Sequence, residues 1–101
     1  MIDPTKIAAL LDIAQRAIDV EDRVTERTEH METLRSAYKL HKRTLGMDDR
    51  DFIKREGPEW DAVKAATAVE YADAEKAKRA EYNARRRLQT AIRNYRAKAY
   101  A

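Results

Sequence analysis

Arg79, Tyr82, Arg86, Arg93, Arg96 and Tyr100 recur at intervals that bring them to one face of a helix, and they are the residues of this chain best suited to recognition chemistry. Guanidinium groups interleaved with tyrosines can follow phosphates and stack on bases. They can equally grip an acidic protein surface. Residues 76 to 101 hold nine Lys or Arg against the single acid Glu81, so this end of the chain is strongly cationic. The net charge of the whole chain is only +3, however, and no sequence signature of a known nucleic-acid-binding module is present.

Other chemistry is harder to assemble. With no cysteine there is neither a thiolate nucleophile nor a thiolate zinc ligand. His30 and His41 lie eleven residues apart, which is ~16 Å along a helix and too far to share a metal. Glu26 and His30 are one turn apart, but the Glu-x-x-His spacing of di-iron bundles is absent. The only glycines, Gly46 and Gly57, do not form a phosphate-cradling loop, and Ser36, the one serine, has no evident base. The expectation is a protein that is not an enzyme and carries no cofactor and no metal.

The elements that must position the cationic face follow from four breakers. Asp3-Pro4 reads as an N-cap followed by proline at the first helical position. Gly46 reads as a left-handed C-cap after Lys39, Lys42 and Arg43. Gly57-Pro58-Glu59 repeats the starting grammar. The pattern predicts a helix over 4–45, a connection over 46–57 and a helix over 58–98, within a single domain of 101 residues. Phe52 and Ile53 in the connection, with Trp60 just beyond it, are expected to cap the bend.

Ile7, Leu11, Ala14, Ile18, Glu21, Val24, Thr28, Met31, Leu34, Tyr38, His41 and Leu45 recur at close to 3.5 residues, the period of a left-handed coiled-coil seam. The second helix offers Trp60, Val63, Val69, Ala74, Ala77, Ala84, Leu88, Ala91, Tyr95 and Ala99. Folded back, this sets Leu34 near Val69, Tyr38 near Ala65 and Ala66, and Leu11 near Ala91 and Ile92, so that large side chains meet small ones. Charge agrees: residues 1–34 carry −4, 35–55 carry +4, 56–75 carry −5 and 76–101 carry +8. An antiparallel arrangement lays opposite signs side by side. The expected fold is all-α, a long antiparallel two-helix hairpin that associates into a helical bundle.

One seam is little core for a chain of this length. Near the N-terminus a second apolar stripe, Leu10, Ile13, Ala17 and Val20, runs beside the first. With Ile92, it is the expected self-association surface of a homo-oligomer, a dimer being favoured. No apolar run reaches the length of a membrane span, so a soluble, cytoplasmic protein without a membrane partner is expected.

A hairpin of this size with a tryptophan near its turn resembles, in outline, the secreted helical hairpins whose turn carries Trp-x-Gly. Here the order is Gly57-Pro58-Glu59-Trp60, and that family's C-terminal Tyr-x-x-x-Asp/Glu signal is missing from the tail, so no function is carried across. Size and composition also resemble those of small bacteriophage and bacterial accessory proteins. The function expected is a protein-protein interaction module, an adaptor, assembly factor or inhibitor. The alternative is a DNA- or RNA-binding protein that uses the Arg79 to Arg96 face.

Overall fold

The computed structural model describes residues 3–48, 53 and 57–99. It contains three helices, α1 (Pro4–Thr44), α2 (Pro58–Ala66) and α3 (Ala68–Ala99), and no strand among the described residues. The fold is an all-α helical hairpin in which α1 packs against α3. Among the described residues, no helix is long and apolar enough to cross a membrane.

The breakers act as the sequence leads one to expect. Asp3 accepts the Thr5 backbone N–H through Oδ1 at 2.9 Å, satisfying one of the first turn's orphan donors, and its carbonyl accepts the Ile7 N–H at 3.0 Å. At the other end Gly46 has φ +74°. Its N–H donates to the Arg43 carbonyl at 3.0 Å, and the Met47 N–H reaches back to Lys42 at 2.9 Å. These two bonds define a Schellman motif, which needs a left-handed residue and so favours glycine. Gly57 caps α2 with extended backbone geometry, and Pro58 follows at the first helical position. The expected cap over the bend falls partly on Phe52, which lies outside the described residues, as does most of the 46–57 connection.

The expectation of one unbroken helix over 58–98 meets a difference at Thr67. This residue has φ −109° and ψ 16°, and it separates α2 from α3. Both its N–H, at 3.0 Å, and its hydroxyl, at 2.7 Å, donate to the Val63 carbonyl. A β-branched side chain that bonds back one turn distorts the helix locally. The Tyr71 N–H still reaches the Thr67 carbonyl at 2.9 Å, so the break costs no hydrogen bond at that carbonyl.

Packing divides the chain into two compact units, Met1–Arg27 with Ala77–Ala101, and Thr28–Lys76. In the second unit Leu34, Val63, Thr67 and Ala74 are buried, and Met31, Tyr38 and His41 are half-buried where the 3.5-residue period put them. Tyr38 packs against Trp60, with ring centroids 6.0 Å apart and planes tilted by 45°. Tyr38 was expected near Ala65 and Ala66, which are exposed, and Val69, expected against Leu34, is 71% exposed. The true seam position is the polar Thr67.

In the first unit the buried face of α3 is Ala77, Glu81 and Ala84, with Leu88, Ala91 and Tyr95 half-buried. The intervals alternate four and three, as a coiled-coil seam requires. Alanine here gives up no rotamer entropy on burial and favours the helix. On α1 the facing residues are Val20, 8% exposed, and half-buried Ala9, Ile13 and Val24. The expected seam residues Ile7, Leu11, Ala14 and Ile18 are exposed instead. Both stripes have the right period, and periodicity alone does not say which of two adjacent apolar stripes meets α3.

Candidate interaction surfaces

The outer face of α3 presents the expected cationic residues. Arg79, Tyr82, Arg86, Arg93 and Arg96 are all exposed, and Tyr100 lies outside the described residues. Seven-residue steps put Arg79, Arg86 and Arg93 in one row, successive members ~10.5 Å apart along the axis. The Arg86 guanidinium sits over the Tyr82 ring, 5.8 Å from its centroid, which holds the side chain without neutralising it. Among the described residues, Arg79, Arg86, Arg93 and Arg96 enter no ion pair, and this row keeps its charge for solvent or for a partner.

The other arginines of α3 are engaged. Arg87 reaches Asp19 of α1 at 3.5 Å. Glu81, at a seam position and 9% exposed, accepts from Arg27 of α1 at 3.2 Å and from Arg85 one turn along at 3.5 Å. As the residue number rises on α1 it falls on α3, so the two helices are antiparallel in this unit. On α1 itself, Glu26 at 2.9 Å and then Asp19 hold the Arg23 guanidinium above its ordinary pKa. Glu81 was not placed on the seam because the seam of the second helix was drawn through apolar residues alone; the alternation of intervals from Ala77 to Ala84 does find it.

Two shallow recesses accompany these faces. In the first unit an open groove of about 420 Å³ is lined by Asp12, Arg16, Asn83, Arg86, Arg87 and Thr90, among others. Asp12 and Arg16 are paired at 3.3 Å, so part of the groove's charge is cancelled within it. In the second unit Tyr38, Trp60, Lys64, Thr67 and Tyr71 border a more apolar recess of about 650 Å³. Neither brings a nucleophile up to a base, and among the described residues no three His, Cys, Asp or Glu side chains converge as a metal site would need.

The proposed self-association residues divide by burial. Val20 is buried in the chain's own seam, Ile13 and Ile92 are half-buried, and Leu10 and Ala17 are exposed. The larger apolar exposure lies on the neighbouring stripe. Ile7, Leu11 and Ile18 are 42%, 60% and 62% exposed, and Leu10 at their flank is 44% exposed. With Ala14 they form one continuous face of α1, turned away from α3. No family model matches the chain, and no curated protein or solved structure matches it either.

Proposed function

We propose that the protein is a non-enzymatic interaction module that binds protein through the outer faces of its helices. The observation that supports this most directly is the aliphatic face of Ile7, Leu10, Leu11 and Ile18, open to solvent in a chain of which 39% of residues are charged. A contiguous apolar patch rimmed by polar residues is what a docking surface looks like before its partner arrives. Covering the exposed half of each such side chain gains roughly 1 kcal/mol, about half the value for burying it from full exposure. The acidic residues that follow on the same helix, and the unpaired arginines of α3, would then set orientation and partner choice.

The test is affinity capture from the native host with the intact protein, with and without nuclease, repeated with Leu11→Lys combined with Ile18→Lys. Capture of a protein that survives nuclease and disappears with the double variant is expected. Nuclease-resistant capture unaffected by the variant, or no capture at all, would remove the reading.

The unpaired row Arg79, Arg86, Arg93 and Arg96, with Tyr82 among it, favours a second reading as a DNA- or RNA-binding face. In that case binding falls steeply with salt, and reversing Arg86, Arg93 and Arg96 together abolishes it. Under the first reading a gel-shift assay of the unmutated protein gives no more than weak, salt-sensitive association.

A further inference from the structure

We infer that the face formed by Ile7, Leu11, Ala14 and Ile18 is occupied by the same face of a second copy of this chain, with the two α1 helices antiparallel about a twofold axis between residues 12 and 13. The inference rests on the reading that this stripe is a docking face, and it names the occupant.

The stripe is self-complementary. Its intervals are four, three and four, the alternation of a coiled-coil seam, in which the 7 and 14 positions are of one class and the 11 and 18 positions of the other. Antiparallel pairing about that axis sets Ile7 opposite Ile18 of the second copy and Leu11 opposite its Ala14, each layer joining one position of each class. Leu11, at 60% exposure the largest protrusion at the centre, meets the smallest side chain of the stripe. Leu10 and Ala17 fall opposite each other on the flank and extend the apolar cover. The same surface used on both partners is what a twofold interface demands.

Charge selects this pairing over its rivals. The charged side chains of α1 before residue 20, namely Lys6, Asp12, Arg16 and Asp19, lie off the stripe, three of them half-buried toward the seam side. Where the stripe ends, Glu21 and Asp22 take its place, with Glu29 and Glu32 further along the helix. A parallel, in-register pair would set each of these acids against its own copy. The antiparallel pair leaves Glu29 and Glu32 beyond the overlap. It brings Glu21 beside the first turn of the other α1, at the positive pole of that helix. That turn contains no acid of its own, and the N-cap Asp3 already accepts the Thr5 N–H. The α3 face of a second copy is a poorer cover, because Arg79, Arg86, Arg93 and Arg96 would have to be desolvated against aliphatic side chains.

Sedimentation velocity of the full chain at micromolar concentration tests the inference, and a dimer is expected. Leu11→Lys with Ile18→Lys should give a monomer whose helical circular dichroism is retained. Because the chain has no cysteine, direction can be read by oxidation: Leu11→Cys mixed with Ala14→Cys should cross-link. Ile7→Cys alone should not, because the two copies of residue 7 lie ~16 Å apart along the axis. A monomer throughout, a dimer that persists in the lysine double variant, or efficient cross-linking of Ile7→Cys to itself overturns the inference. A monomer that still captures a host protein, and loses it in the double variant, overturns the second copy and leaves the functional reading standing. A dimer that captures nothing from its host overturns the functional reading alone.

Discussion

Gly46 and Glu81 show how single residues set the terms of this fold. At Gly46 an added Cβ meets nothing within 4 Å, so the whole cost of a substitution there is conformational. With φ at +74°, Gly46→Ala should destabilise the chain by about 1–2 kcal/mol, read from the urea midpoint, and Gly46→Asn by less. Glu81 tests a different balance. It is an acid in an otherwise alanine-rich seam, held by Arg27 and Arg85. Only the acid is buried, Arg27 and Arg85 being 44% and 54% exposed, so an apolar residue of similar volume at 81 removes the desolvation cost of the carboxylate and leaves both arginines free to take up water. Glu81→Leu should therefore leave stability equal or higher, whereas Glu81→Ala, which loses the pair and leaves a void, should lower it by about 1–3 kcal/mol. The contrast between the two variants in chemical denaturation separates a stabilising acid from one that fixes which residues face each other.

The helix boundaries were legible because they depend on local chemistry. Pro4, Gly46 and Pro58 each act within a single turn, and the structure uses all three where the pattern puts them. The seam was legible only where one apolar stripe was available, as at Met31, Leu34 and Tyr38. Where α1 carries two stripes, the choice between Ile13–Val20 and Ile7–Ile18 is made by the partner helix, and that information is not in α1. Thr67 was missed for a related reason. Counting apolar residues advanced the seam to Val69, and Thr67, 1% exposed with its hydroxyl satisfied by Val63, was passed over as polar. If the doubled bond to the Val63 carbonyl is what breaks the helix, Thr67→Ala should move the ¹³Cα shifts of residues 66–68 toward helical values. Unchanged shifts would place the cause in the packing around Val63. The exposure of Arg79, Tyr82, Arg86, Arg93 and Arg96 on α3 was legible because solvated side chains need no tertiary information to be placed on a wheel.

For the molecule as a whole, the aliphatic face of α1 ties stability to concentration. A folded state that exists as a dimer gains about 1.4 kcal/mol of apparent stability for each tenfold rise in protein concentration, by mass action alone. The pairing inferred for Ile7, Leu11, Ala14 and Ile18 therefore predicts that the urea midpoint climbs as the chain is concentrated, by about 3 kcal/mol of apparent stability over a hundredfold range. In Leu11→Lys with Ile18→Lys the midpoint should not move with concentration. Those two positions are already 60% and 62% exposed in the single chain, so the variant's own fold should lose little, surface changes usually falling within about 0.5 kcal/mol. Salt provides an orthogonal handle. Raising it screens Glu21 from the positive pole of the other α1 but does not weaken aliphatic burial. The concentration dependence should accordingly survive high salt, whereas a dimer held mainly by the arginines of α3 on the acids of α1 would dissociate there. Measuring the midpoint against concentration at low and high salt thus decides which of the two outer faces joins the copies.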